Sequence, residues 1–399
     1  MPIKTAIIGV GRTAFGEHYE ENPEELIEKA GLKALQSANI ERKELDAIMI
    51  SDYFLQVTNK IGLEEGFISE LLDLNIPMET LRSFSSALNT AANAIEAGRY
   101  KIVMVGGVEK MTDRLDKIKD NLMTLIDSWS YYSGGTTEAI HEIMLREYIK
   151  KHRLNKEKKE KLMESLAYIS HKNHEYGAKN PNAHFYRRRA EMERVIKARR
   201  NSLLGLYDFA PYSDGATAIV ITNMRTAKKI AEKGLTLEGR GSATGHISYF
   251  TRKEKAKFKS TEEAARRAFQ EAKINKAKIT LAELYDQSTL MELIALENLG
   301  FCREGRAWSM IQESIKENKY TYNINGKEIY TNTNGGLKAD GNPLGATGGA
   351  QIHEVYHQLL EEAGTRQIPI EDEDPYALTI EHEGFGTKTY VQILRRWIR

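Results

Sequence analysis

Between residues 77 and 112 the chain reads PMETLRSFSSALNTAANAIEAGRYKIVMVGGVEKMT, and its apolar pattern predicts a strand, a helix and a second strand in one run. Ala87, Ala91, Ala92, Ala94, Ile95 and Ala97 leave the helix over 85–97 small and apolar on most faces, the pattern of a helix enclosed by other layers. Gly98 ends it, and 102–105 reads as an interior strand closed by Gly106 and Gly107. Ser83, Ser85 and Ser86 fall where strand passes into helix. A hydroxyl there lies beside unpaired backbone N–H groups and the positive end of the helix dipole, a place for a nucleophile or for an N-cap.

The start of the chain predicts a short strand over 5–8. The following GVGRTAFG lacks the helix and the third glycine of a dinucleotide fingerprint and reads as a turn. Leu26, Ile27, Ala30, Ala34, Leu35 and Ala38 recur at helical spacing over 23–38, and 45–50 is the next strand. Strands alternating with helices predict a largely buried parallel sheet. From 113 to 200 the character changes to charge and helix formers, as in NKEKKEKLMESLAYISHKNHEYGAK, with no strong strand until 218–221. This is the pattern of a helical insertion capping the sheet. Residues 204–223 return to sheet, with SDGA as the turn into it.

The second half repeats the first. Ala30, Ala34, Ala38, Ile40 and Leu45 answer to Ala264, Ala268, Ala272, Ile274 and Ile279, a constant offset of 234 residues. GATGGAQIHEVYHQLLEEAG then gives a second helix with a Gly/Ala-rich start before a strand over 377–380, mirroring the central helix of the first half. The expected fold is a duplicated α/β body with its two inner helices packed together between sheets. Its parts are an N-terminal half (1–112 and 201–233), a helical loop domain (113–200) and a C-terminal half (234–399).

Composition adds limits. The 399 residues are 41% hydrophobic and 28% charged, ordinary for a soluble globular chain, and the net charge of +1 gives no electrostatic reason to expect nucleic acid or a membrane as partner. No apolar run reaches membrane-span length and the first residues lack a signal-peptide layout, so the expected location is the cytoplasm. Cys302, the only cysteine, excludes an internal disulfide and a Cys-based metal cluster, and its apolar neighbours give it a packing role. His353, Glu354 and His357 spell H-E-x-x-H on a helix. With no third ligand in the sequence pattern they read as scaffold, so no metal is expected. The basic run YRRRAEMERVIKARR offers either a phosphate site or a solvated helix face.

GGVEKMT (106–112), KNHEYGAKNPNAHF (172–185), FAPYSDGATAIVI (209–221), YDQSTLMELIALENLGFC (285–302) and TNGGLKADGNPLGATG (333–348) together resemble the thiolase superfamily, especially the archaeal and sterol-carrier-protein-type members. The resemblance runs over nearly the whole chain. It implies the thiolase fold, a duplicated five-layer α/β/α/β/α body with a helical loop-domain insertion, and a homodimer or homotetramer. It also implies a coenzyme A thioester as substrate or ligand, with no permanently bound cofactor. Arg187, Arg188, Arg189 and Lys197 become candidates for the nucleotide phosphates, and Gly345 and Gly384 for contacts to coenzyme A. His174 and His184 belong to family motifs of the loop domain.

The family's catalytic positions are altered. Its nucleophilic Cys at the start of the central helix is absent: an ungapped count back from Gly98 puts Leu81 there, and a count forward from Pro77 with about one helical turn deleted puts Ser85 there. The family's His-Asp-Cys-Phe segment matches Tyr285, Asp286, Gln287 and Ser288, and its Gly-His-Pro histidine matches Asn342. Asparagine can donate to an oxyanion but takes no proton at neutral pH. Near the C-terminus the chain reads IEHEGFG (380–386). Three expectations follow from the resemblance. One is an acyl-CoA-binding protein with weak or no thiolase activity, supporting a catalytic thiolase or synthase subunit. Another is acyl transfer or Claisen condensation on Ser85, with His382, Glu381 or Glu383 as base. The third is a retro-aldolase acting through Tyr285. A small zinc-ribbon or OB-fold partner fits the first and the third.

Overall fold

The structure, a computed structural model, describes residues 4–399. Among the described residues there are eleven strands: β1 (Thr5–Arg12), β2 (Ala47–Ser51), β3 (Met78–Leu81), β4 (Ile102–Glu109), β5 (Gly215–Asn223), β6 (Lys233–Thr244), β7 (Ile279–Glu283), β8 (Thr321–Ile324), β9 (Lys327–Thr331), β10 (Tyr376–Glu383) and β11 (Lys388–Ile398). Their order is β3-β2-β4-β5-β1-β6-β11-β10-β7-β9-β8. The join between halves is narrow, since β1 meets β6 through only Ala6 opposite Thr236 and Ile7 opposite Leu235. On either side of it the sequence of elements is the same. β1, β2, β3, β4 and β5 of the first half take the places that β6, β7, β9, β10 and β11 take in the second, with β8 added at the far edge.

Parallel pairing is confined to β2 with β3 and β4, and to β7 with β9 and β10; the other pairs are antiparallel. The sheet is therefore mixed where the alternating pattern predicts a parallel one. The doubled alanine pattern marks the two outer helices, Pro23–Ala38 and Lys259–Ala272, each pressed on its own sheet. Glycines make that approach possible. A Cβ on Gly9 or Gly11 would lie 2.5 and 2.4 Å from backbone atoms of Ala38 and Ala30, and one on Gly239 or Gly241 would lie 2.2 and 1.8 Å from the carbonyls of Ala268 and Ala264. GVGRTAFG is thus not a turn at its glycines: β1 runs through both to Arg12. β4 likewise continues past Gly106 and Gly107 to Glu109, which brings a carboxylate to the inner layer.

Two inner helices, Phe84–Glu96 and Leu344–Leu359, lie between the sheets in a core built from Phe84, Leu88, Ala91, Ala92, Ile352 and Val355. They pack closely: a Cβ on Gly348 would sit 2.9 Å from the Phe84 Cβ. Between β4 and β5 lie the helices Leu115–Met123, Ser128–Tyr132, Thr137–Lys151, Lys156–Gly177 and Met192–Ala198. Regular strand resumes at Gly215, later than the 204–223 reading, because 204–212 forms a loop with the 3-10 turn Leu206–Asp208. A buried ion pair fixes the approach to the second inner helix: Arg12 Nη1 and Nη2 donate to Asp340 at 2.8 and 3.1 Å.

Candidate active site

The first inner helix starts against the end of β10. Ser83 is its N-cap, accepting from the Ser86 N–H at 3.3 Å and donating its own hydroxyl to Glu383 Oε1 at 2.7 Å. The next two N–H groups are taken by one carboxylate: Ser85 N–H donates to Glu381 Oε2 at 2.6 Å and Phe84 N–H to Glu381 Oε1 at 3.3 Å. The positive end of the helix dipole and two orphan donors are thereby satisfied from within the chain. Burial pushes the Glu381 carboxyl up to about 7, and the bonds from Ser85 and Phe84 limit that rise.

Ser85 is buried, and its hydroxyl donates to Gln392 Oε1 at 3.3 Å, an oxygen that also accepts from Thr379 at 2.6 Å. It borders none of the cavities described below. Leu81, the alternative at the nucleophile position, ends β3 and packs half-buried on the core between the sheets. The only cysteine, Cys302, lies apart in the second-half core, where burial and Glu297 push its thiol far above the ordinary range.

Tyr285, just beyond β7, forms the opposite wall. Asn342 lies near its side chain, and Asn342 Oδ1 accepts from Thr347 at 2.9 Å. Burial and the neighbouring Glu381 push Tyr285 far above the ordinary phenol range. The His382 ring stands edge-on to Tyr285 at 5.5 Å, with its Nδ1 2.9 Å from Thr389 Oγ1. Burial and Arg252 push this imidazole down to about 3, so it is neutral at physiological pH. Tyr285, His382, Gln287, Tyr53, His141 and Gly384 are among the residues around an inner cavity of about 20 Å³. Of the expected catalytic residues Ser85, Tyr285, Asn342 and His382, the structure brings Tyr285 and His382 to this cavity and leaves Ser85 and Asn342 off its lining; sequence reasoning misses Tyr53 and His141. Both lie in segments whose local pattern carries no chemical signature.

A second cavity, of about 900 Å³, opens beside it under the insertion. Arg188, Arg189, Arg194, Lys119 and Lys338 bring positive charge to it, and Phe185, Tyr207, Phe209 and Tyr212 bring rings. Of the four basic residues singled out by sequence, Arg188 and Arg189 border this space, while Arg187 and Lys197 do not. Arg187 instead stacks on Tyr186 at 4.9 Å. Arg194, stacked over Tyr207 at 5.3 Å, and Lys338 were missed. Lys338 is buried, and the loss of water lowers its ammonium to about 8, with Asp286 and Asp208 opposing that fall. A lysine inside the Gly-rich GGLKADGNP run was the available signal.

Other expected residues fall outside both cavities. Gly345 faces Ser51, and its N–H donates to Glu109 Oε1 at 3.3 Å, so it is part of the packing between halves. His184 Nδ1 meets Ser213 Oγ at 2.9 Å, a packing contact, whereas His174 borders the large cavity. In the H-E-x-x-H segment Glu354 is held by Arg366 at 2.6 and 2.7 Å, and no group of three or more ligand-type side chains converges among the described residues.

The thiolase N-terminal domain matches residues 5–189, and the thiolase C-terminal domain-like family matches 241–396. An acetyl-CoA acetyltransferase of Methanothermobacter thermautotrophicus is 31% identical over 91% of this chain and 92% of its own. Human sterol carrier protein 2 is 29% identical over 91% of this chain and 67% of its own. Among solved structures, the Ltp2-ChsH2(DUF35) aldolase superposes with a TM-score of 0.80 at 19% identity, over 98% of this chain and 97% of that one. Human mitochondrial 3-ketoacyl-CoA thiolase superposes with a TM-score of 0.71 at 16% identity, over 98% of each chain. With both halves matched, the inner helices placed alike and the altered residues gathered at the start of the first, this chain belongs to the thiolase superfamily, on its sterol-carrier-protein-type side.

Proposed function

We propose that this protein binds acyl-CoA in the large cavity, has weak or no thiolase activity of its own, and serves as a subunit of an acyl-transfer assembly. One observation carries the reading: the carboxylate of Glu381 fills the N-terminus of the first inner helix, where thiolases activate a thiolate. An anion there opposes a second anion, whether thiolate, alkoxide or the oxyanion of a tetrahedral intermediate. The acceptor beside Ser85 is Glu381 itself, whose carboxyl lies at about 7 and is already held by the Ser85 and Phe84 N–H groups. Asn342 takes no proton, and His382 directs Nδ1 to Thr389. Loss of the better nucleophile and of the general base each removes about two to four powers of ten in rate.

The large cavity supports binding. Its arginines and Lys338 suit phosphates, its aromatic rings suit an adenine, and Thr137 and Glu138, consecutive on one helix, border the inner and the outer cavity respectively. The thioester end of a ligand seated in the outer space would reach the Tyr285 side. Among the described residues no helix is long and apolar enough to cross a membrane, and we place the protein in the cytoplasm. β3 is the outer strand of the first half and leaves one edge unpaired, which supports a homodimer or homotetramer.

A second reading rests on Tyr285. Tyr285 lines the inner cavity, close to Asn342 and to Glu381 with its carboxyl at about 7. That set can shuttle a proton during retro-aldol cleavage of a 3-hydroxyacyl thioester. The structural neighbour described as an aldolase pairs with a DUF35 protein, which supports a small partner here as well. Calorimetric titration with CoA and acetyl-CoA, with thiolysis, condensation and retro-aldol assays on the same preparation, separates the readings. Binding without thiolysis is expected. Thiolase turnover that vanishes in Ser85→Ala would overturn the main reading, and retro-aldol turnover lost in Tyr285→Phe would establish the second.

A further inference from the structure

The inner cavity contains a buried nitrogen with no partner. His141 lies on the helix Thr137–Lys151, 1% exposed, and borders the cavity with Tyr285 and Gln287. Its Nδ1 is 2.7 Å from the carbonyl oxygen of Thr137, one helical turn back. A carbonyl only accepts, so Nδ1 carries the ring proton and Nε2 is a bare lone pair. Nε2 is buried and has no hydrogen-bond partner among the described residues. Phe385 and Phe209 meet the ring at 4.6 and 5.5 Å in edge-on packing that fixes its plane.

Burial pushes the imidazole down to about 4, so the lone pair is present across physiological pH. The cavity, about 20 Å³, admits one water-sized group. Phe209, which packs edge-on against the ring, also lines the large cavity. Left unpaired, a buried acceptor is costly, and a ligand that brings a donor relieves that cost.

We infer that His141 Nε2 receives a hydrogen bond from an O–H or N–H on the reactive arm of the bound CoA ester, making His141 the residue that recognises a polar group at the thioester end. The inference rests on acyl-CoA binding as proposed above. Two sources share this chemistry: a hydroxyl on the acyl chain, or an amide N–H of the pantetheine arm.

Titration of the full chain and of His141→Phe with CoA, butyryl-CoA and 3-hydroxybutyryl-CoA tells them apart. If the donor is the acyl hydroxyl, the wild type prefers the hydroxylated ester by about tenfold and His141→Phe abolishes only that preference. If the donor is the pantetheine amide, His141→Phe weakens all three ligands about equally. Equal affinities of wild type and variant for every ligand would overturn the inference while leaving acyl-CoA binding intact. No binding of any of the three to the wild type would overturn both. A readout without substitution guards against a misfolded variant: the 15N resonance of Nε2 in the wild type moves to lower frequency on saturation with 3-hydroxybutyryl-CoA, and a stationary resonance would contradict the inference.

Discussion

The two inner helices begin in related ways and end with different chemistry. At the first, Glu381 of β10, from the second half, accepts from Phe84 and Ser85 through both of its oxygens. At the second, Glu109 of β4, from the first half, accepts from Tyr53 at 2.6 Å and Gly345 at 3.3 Å through Oε1 alone, and its Oε2 has no partner among the described residues. β4 and β10 hold matching places in the two halves, so each half plugs the other half's inner helix with a carboxylate. Burial raises both carboxyls, Glu381 to about 7 and Glu109 well above its ordinary range, where Asp52 adds to the rise. The difference teaches that the fold's doubled frame survives as packing while the first helix start has become a sealed internal contact.

The comparison breaks most sharply at Glu381. Glu381→Ala leaves two helix N–H groups unpaired in a dry site and is expected to cost about 2–5 kcal/mol in urea unfolding. A loss below about 1 kcal/mol would show that the plug matters little. Next comes Gly348→Val. Its Cβ would stand 2.6 Å from Glu381 Oε2 and 2.9 Å from the Phe84 Cβ, so overpacking of about 1–3 kcal/mol is expected in the same assay, with unchanged stability as the contrary result.

The carboxyls also set a pH dependence. Each is raised in the folded state, so the folded protein holds these protons more tightly than the unfolded chain does. The resulting stabilisation is present below about 4.5. It is lost as pH rises, through about 7 for Glu381 and above the ordinary carboxylate range for Glu109. Glu109→Gln stays neutral at every pH and keeps an oxygen for Tyr53 and Gly345. Its stability relative to the wild type is expected to rise as pH goes from 5 to 8. Parallel stability curves for the two proteins would contradict the assignment.

Smaller effects sharpen the reading of the cavities. Arg194→Ala is expected to weaken CoA binding about three- to tenfold and Lys197→Ala to leave it unchanged, because only Arg194 borders the large cavity. Equal losses would return the site to the basic run as a whole. Ser85→Ala is expected to cost about 1 kcal/mol or less, through its bond to Gln392, and to leave CoA affinity unaltered.

Much of this frame is legible in the sequence because alanines 234 residues apart record two outer helices with the same demand for close packing. The loss of the sulfur and imidazole is legible too, since it needs only the identity of a residue inside a motif. What the carboxylates do is not. Glu381 and Ser85 are 296 residues apart, and nothing local distinguishes a base from a plug until the strand and the helix start are in contact. His141 escaped for a similar reason: its meaning lies in a tautomer set by the Thr137 carbonyl and in an empty lone pair, neither of which leaves a pattern along the chain. The basic run offered too many cations because charge density does not say which of them turn inward.

The sealed helix start is tested most directly by weighing the intact protein after incubation with acetyl-CoA and longer acyl-CoAs and an acid quench. The account predicts an unchanged mass under conditions where calorimetry shows the ligands bound. A stoichiometric acyl increment that peptide mapping assigns to Ser85 would contradict it.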